Sequence, residues 1–371
     1  MRLLIAGFAL LAGVGALAAP PNASDVGSPA ANQVCTPSPA LQFVCGAQRP
    51  EDLAHIPGTR WLIVSGFDQG AGLKLIDTDT GTLETWYRGD PEQLRQDRPR
   101  YAACPAPPDV ATFNVQGISL RRTGSTTYTL LATNHGGRES IEIFAIDAAL
   151  DRPTLTWRGC VLLPAGVAAN AVASFGDGTI LITELTRPGT SIADFVGGKN
   201  TGAVYALPPG AAHFKMLPGT ELPGNNGLET SKDDREFFVV AFGWHAVVVY
   251  SRANTEKPLR IITAPGFMPD NIHWDGERLI AGGMQLDEPA CGGLRRIVDG
   301  KADGMLCHRG YSVAQLDPAS GRFSLIAYAE PDPFFNGVSG AVIIGRELWL
   351  SSYQSDRIAH RTLPWLPTIS R

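Results

Sequence analysis

The decapeptide FMPDNIHWDG, residues 267–276, sets a carboxylate and a carboxamide side by side, Asp270 and Asn271, at the mouth of an apolar segment. Such pairs mark turns. Here the same kind of residue recurs along the chain. Glu51, Asp52, Gln116, Asn170, Asn226 and Ser339 each stand at the start of a comparable short apolar run. Carboxylates and amide carbonyls are hard oxygen donors. They suit Ca²⁺, which takes about six to eight oxygens in flexible geometry. Softer metals would recruit His or Cys. Glu51, Asn170, Asn226, Asp270 and Asn271 would supply five such ligands, leaving room for water or substrate. A polar plug of hydrogen bonds and waters is the other use of such a ring.

The elements that would bring these residues together repeat six times. The polar clusters open PEDLAHI (50–56), VQGISLR (115–121), AANAVASF (168–175), NNGLETS (225–231), PDNIHWD (269–275) and GVSGAVII (337–344). Each run is followed by a second strand: WLIVSG, YTLLATN, TILITEL, FFVVAFG, RLIAGGM and LWLSSYQ. Hairpins then follow, as in LKLIDTDTGTLETW and VAQLDPASGRFSLI. Short β-type runs with turn residues between them give an all-β fold. Six units of four strands make a six-bladed β-propeller with a central metal-binding channel. The last unit runs out after RIAHRTL, so its outer strand is expected from residues 38–46. DTDTG lacks the remaining spacing of a calcium loop and reads as a hairpin turn. All inner strands of a propeller run the same way along the channel, so the polar clusters meet at one end.

The loops after the second strands return to that end. GFDQGAG, TNHGGRES and FGWHAV would wall a pocket, with His135 beside the metal as a general base and Trp244 and His245 at the lining. Two insertions, TRPGTSIADFVGGKNTG and LDEPACGGLRRIVDGKADGMLCHRG, rise over the same face. No GxSxG elbow offers a serine nucleophile.

The chain of 371 residues is 44% hydrophobic and 18% charged, with net charge -5. That composition supports a packed core. No basic stripe fits nucleic acid. Residues 1–18 read as a signal peptide: Arg2, an apolar run from Leu3 to Leu17, then Ala16-Leu17-Ala18. Residues 19–37 are a linker, 38–366 the propeller and 367–371 a tail. A secreted or periplasmic protein follows, with no stable membrane span after cleavage. Six cysteines fit that oxidising setting. Local order suggests Cys35 with Cys45, Cys104 with Cys160 and Cys291 with Cys307, out of about 15 pairings that six cysteines allow.

FNVQGISL through LLATNHGGRESIEIF, NNGLETSKDDREFFVVAF, MPDNIHWD and PEDLAHIPGTRWLIVSG together resemble the paraoxonase/arylesterase family, within the wider gluconolactonase and regucalcin-like propellers. The resemblance runs through most of residues 46–363. It implies a catalytic calcium held by Glu51, Asn170, Asn226, Asp270 and Asn271, and hydrolysis of lactones or esters. It also implies a second, structural calcium, for which Asp52 matches one ligand; the Asp expected after Asn170 is Ala171. His135 matches the second member of the family's histidine pair, and Gln116 stands where the first would be. A glutamine orients water or substrate but is no base near neutral pH. The family's cysteine near the C-terminus is absent. The expected partner is a small lactone or ester. A gluconolactonase-type sugar lactonase and a non-enzymatic calcium-binding propeller are the alternatives.

Overall fold

The computed structural model describes residues 35–299, 301–302 and 307–364. The expected signal peptide and most of the expected linker and tail lie outside these residues. Among the described residues, six four-stranded antiparallel sheets follow one another along the chain, and the inner strands of successive sheets touch in a closed ring. The sixth inner strand returns to the first. This is a six-bladed β-propeller. Closure comes from the N-terminal side, as expected: Gln42–Cys45 pairs antiparallel with Arg357–Thr362 and completes the sixth blade. The Cys35–Cys45 disulfide ties the end of that strand to the chain before it.

The core follows from strand alternation. A blade is apolar on both faces, so each packs against two neighbours, and six hydrophobic clusters lie between the six pairs of adjacent sheets. Ile63, Leu73 and Leu75 of blade one meet Phe113, Val115 and Ile118 of blade two. Val204 of blade three meets Val239 and Val248 of blade four. A fully buried aliphatic side chain contributes about 1.5–3 kcal/mol. Cys104–Cys160 joins the long connection ahead of blade two to that blade's outer strand, and Cys291–Cys307 spans the blade-five insertion. Asp77, Thr78, Asp79 and Thr80 form the expected hairpin turn, closed by Gly81 at φ 70°.

Two of the inner strands are shorter than their sequence pattern. They span Leu53–His55 and Val172–Ser174, against the expected 50–56 and 168–175. Hydroxyl groups of the second strand substitute for ladder bonds at this point. Asp52 N donates to Ser65 Oγ (2.8 Å) and Ala171 N to Thr183 Oγ1 (3.0 Å). Four other inner strands carry a register shift at the polar cluster, between Val115 and Ile118, Asn225 and Leu228, Pro269 and Ile272, and Val338 and Gly340. A bulge re-aims side chains that strict alternation would send to opposite faces. Asp270 and Asn271 are consecutive, and both are buried.

Candidate metal centre

The two backbones nearest the ring approach one another where the sequence has glycine. A Cβ on Gly117 would lie 2.6 Å from the Asn170 carbonyl oxygen, and one on Gly227 would lie 2.4 Å from that of Asp270. Each glycine follows a ring residue, Gln116 or Asn226. Its missing side chain lets the next blade bring its own ring residue close.

The structure gathers the expected donors around one cavity of about 230 Å³. Glu51, Gln116, Asn170, Asn226 and Asp270 line it. Glu51 Oε2, Asn170 Oδ1, Asn226 Oδ1 and Asp270 Oδ1 are buried and have no protein hydrogen-bond partner. Leaving one such group unsatisfied costs about 1–3 kcal/mol. Four of them, from four blades, face a single small space, and with Glu51 and Asp270 ionised all four are acceptors. A water donates only two protons. A hard cation accepts all four oxygens at once, so the donor set fits Ca²⁺ better than it fits a plug. Among the described residues no group of three or more His, Cys, Asp or Glu forms a metal cluster; the ring relies on carboxamides instead.

Asn271 sits differently. It turns its Nδ2 to Glu51, donating to Oε1 at 3.0 Å and to the backbone carbonyl at 3.3 Å. The amide proton thereby supports a buried carboxylate, and the fifth expected oxygen is not the atom aimed at Glu51. Ser339 and Ser351 also donate to the Glu51 carbonyl, at 2.5 and 3.0 Å. Ser339 therefore fixes the first blade's ring residue from the sixth blade.

Burial raises the pKa of Glu51 well above the carboxylate range, and the charges of Asp270 and Asp52 push it further. Burial likewise raises Asp270; Asp52 adds to this, while Asn226 and Arg295 oppose it. Asp52 itself is fully engaged. One carboxylate oxygen accepts from Ile118 N (2.9 Å), the other from Leu53 N (2.8 Å) and His273 Nε2 (2.7 Å). Burial opposes charge on His273, but Asp52 and Glu229 outweigh it and raise its pKa to about 10. The imidazolium supplies the positive charge beside Asp52, which leaves the implied second cation little to coordinate there.

These directions share one sign. Glu51 and Asp270 favour their protonated forms in the folded state, as does His273. Stability from each is present below its unfolded pKa and lost as pH rises through the raised folded value. For His273 that window runs from 6.5 to about 10. Thermal unfolding of chelated protein should therefore show Tm falling from mildly acidic to alkaline pH. Added Ca²⁺ should recover more of it at the alkaline end, since the ion needs both carboxylates ionised. A chelated protein whose Tm rises with pH over that window would refute the assignment.

His135 lies behind Gln116 rather than in the cavity wall. Its Nε2 is 3.0 Å from Gln116 Oε1, and its Nδ1 is 2.8 Å from Glu139 Oε2. The chain Glu139–His135–Gln116 ends at the cavity. With Oε1 facing the ring, both imidazole nitrogens carry protons; with the amide turned over, Gln116 donates to a neutral ring. Glu139 was not singled out from sequence, though its i+4 spacing from His135 is visible there.

Loops complete the wall. Phe67 comes from GFDQGAG, and its ring lies 6.2 Å from that of His135. Arg49 stacks over Phe67 at 5.4 Å, is held by Asp68 at 3.2 Å and donates to the Tyr353 carbonyl. The blade-three insertion folds into a short helix, Ile192–Val196, with a capping box between Ser191 and Asp194; it directs Ile192 and Phe195 at the cavity. From FGWHAV it is Phe242 that lines the cavity. Trp244 is 40% exposed, and His245 takes a left-handed backbone, with burial pushing its pKa down to about 4. Leu185, Met284, Arg295 and Tyr353 finish the lining. Sequence alone did not reveal them, because nothing local marks a loop residue as facing the channel.

Fold and site define a six-bladed propeller with an acceptor-lined end to its channel. No family model matches the chain, and no curated protein matches it in sequence. Solved structures do. A luciferin-regenerating enzyme is 14% identical over 88% of this chain and 95% of its own, with TM-score 0.51. A candidate gluconolactonase is 15% identical over 90% and 96%, with TM-score 0.50. Regucalcin, a calcium-binding protein from Agrobacterium tumefaciens, is 12% identical over 90% and 98%, with TM-score 0.48. At these identities the likeness to the first two shows the fold alone. Among the described residues no helix is long and apolar enough to cross a membrane.

Proposed function

We propose that this chain is an exported, calcium-dependent hydrolase of lactones or related esters. The observation that carries the reading is the convergence of four buried, partnerless oxygens from Glu51, Asn170, Asn226 and Asp270 on one cavity. These side chains, with Asn271 once its amide turns, would hold Ca²⁺. The bound ion would supply Lewis-acid polarisation of the ester carbonyl and stabilise the developing oxyanion.

The protein's own groups do the rest. Gln116 presents its amide at the cavity and orients the attacking water; His135 and Glu139 fix that amide from behind. A carboxylate of the wall beside the ion, Glu51 or Asp270, accepts the proton released on attack. Phe67, Leu185, Phe195, Phe242 and Met284 shield the reacting centre from bulk water and hold an apolar substrate body. This wall favours an aliphatic or aromatic lactone over a sugar lactone. The paraoxonase-like motifs and a neighbour named for lactone chemistry support the same class. The three disulfides support export.

The test is hydrolysis of aliphatic, aromatic and sugar lactones by purified protein before chelation, after calcium removal and after its return. Acid release should vanish on chelation and recover with Ca²⁺, with apolar lactones preferred. Tight calcium binding without turnover of any member would instead favour a binding propeller.

A further inference from the structure

Tyr353 follows the second strand of blade six, Glu347–Ser352, and lines the cavity beside Met284. The turn that carries it is pinned on both sides. Ser352 Oγ donates to the Asn336 carbonyl and accepts from Gln354 N (3.1 Å) and Ser355 N (2.8 Å). Ser355 Oγ donates to the same carbonyl at 3.2 Å. Tyr353 N donates to the Gly337 carbonyl at 3.2 Å, and its own carbonyl accepts from Arg49 Nε at 3.1 Å. Gly337 has φ 66°, and a Cβ there would lie 2.8 Å from the Gln354 side chain, so a glycine is needed opposite the turn. The main chain thus fixes where the Tyr353 ring enters the cavity.

The ring packs against Phe195, Phe242, Met268 and Met284, and its hydroxyl donates to Met284 Sδ at 3.7 Å. A phenol is a good donor, whereas a thioether is a weak acceptor. Among the described residues that line the cavity, Tyr353 carries the one hydroxyl. A ligand oxygen within reach would replace the sulfur contact with a stronger bond, and apolar surroundings strengthen it further. The donor is uncharged, so it suits an uncharged acceptor, a carbonyl or ether oxygen. We propose that the Tyr353 hydroxyl is a specificity-determining donor that binds a neutral acceptor oxygen of the ligand. That this ligand is a lactone or ester rests on the hydrolase reading above; the donor site itself does not.

Binding is measured first, on chelated protein, where that reading expects no turnover. The probes are four bicyclic molecules of one shape: isochroman-3-one with a carbonyl and a ring oxygen, 2-tetralone with the carbonyl alone, isochroman with the ring oxygen alone, and tetralin with neither. Each is titrated by ligand-observed NMR into wild type, Tyr353→Phe and Met284→Leu. Tyr353→Phe should weaken isochroman-3-one about 3- to 10-fold, the scale of one neutral hydrogen bond. It should leave tetralin unchanged, and whichever of the ketone and the ether keeps the oxygen that is read should weaken as the lactone does. Met284→Leu removes the competing sulfur and should bind the lactone at least as tightly as wild type. Unchanged lactone affinity in Tyr353→Phe overturns the proposal. So does an equal loss for tetralin, which would mean that the ring merely packs, or failure of wild type to bind any oxygenated probe. A loss in Met284→Leu as large as that in Tyr353→Phe overturns it too. Tm of each variant reports on folding. Hydrolysis of isochroman-3-one by calcium-loaded protein is then compared, and kcat/KM should fall in Tyr353→Phe by about the factor seen in binding. Oxygen-selective binding without turnover of any lactone or ester keeps the donor site and rejects the hydrolase. Turnover with binding that Tyr353→Phe leaves unchanged keeps the hydrolase and rejects the donor site.

Discussion

Asp270→Asn should lower lactone hydrolysis by at least about 100-fold, the scale of losing one main electrostatic stabiliser of a developing oxyanion. It should weaken calcium binding in parallel, since one of only two ring carboxylates is gone. Its stability should move the other way. Asp270 is 5% exposed, and burial disfavours its ionised form. An amide of the same shape removes that penalty, so chelated Asp270→Asn should unfold at a higher temperature than chelated wild type at alkaline pH. The stabilisation by a given calcium concentration should shrink at the same time. For wild type, ion at 100 times its Kd adds about 2.7 kcal/mol. This crossing of signs separates a ligand from a residue that merely packs, whose loss would lower stability in both states. Full hydrolysis with an undiminished calcium response would remove Asp270 from the site.

The second large effect is expected from a residue with no functional group. Gly227→Ala adds a methyl 2.4 Å from the Asp270 carbonyl oxygen, 2.9 Å from Asn271 Cα and 3.0 Å from Ile272 N. All three atoms are backbone, so no rotamer change relieves the clash. The fourth and fifth inner strands must separate. Overpacking of this kind costs about 1–3 kcal/mol. Here it also displaces Asp270 and Asn271 from Asn226. Denaturant unfolding should show the loss of stability, and calcium titration should show weaker binding, although no ligand has been altered. A variant with native stability and native calcium affinity would mean that the ring tolerates a wider spacing than this packing allows.

Much of this architecture was legible beforehand. WLIVSG, the second strand of blade one, is found at Trp61–Gly66, and the strand that closes the ring lies within residues 38–46. All three disulfides join the cysteines that chain order had paired. Four of the five expected oxygen donors, Glu51, Asn170, Asn226 and Asp270, line one cavity because equivalent positions of repeated units must coincide there. Such features rest on local signals: apolar runs, turn residues and a repeat.

The wall of the cavity was not legible, nor was the way the ring is held. Ser65, Thr183 and Ser351 bond the backbone beside the ring from the second strands, and only the pairing register shows which hydroxyl meets which group. Asn271 turns its nitrogen to a glutamate 220 residues away, and His273 pairs with Asp52 across 221. His135 stands behind Gln116 because of how two strands of one blade are placed. Arg295 reaches the cavity only because Arg309 and a disulfide fold back the loop that carries it. By itself the sequence determined the repeat, the strand order and the donors at the channel end, since backbone preference and apolar alternation act within a few residues. Tertiary structure decided which side chains face the cavity and which pair with each other, because those contacts depend on ring closure and loop packing between residues far apart in the chain.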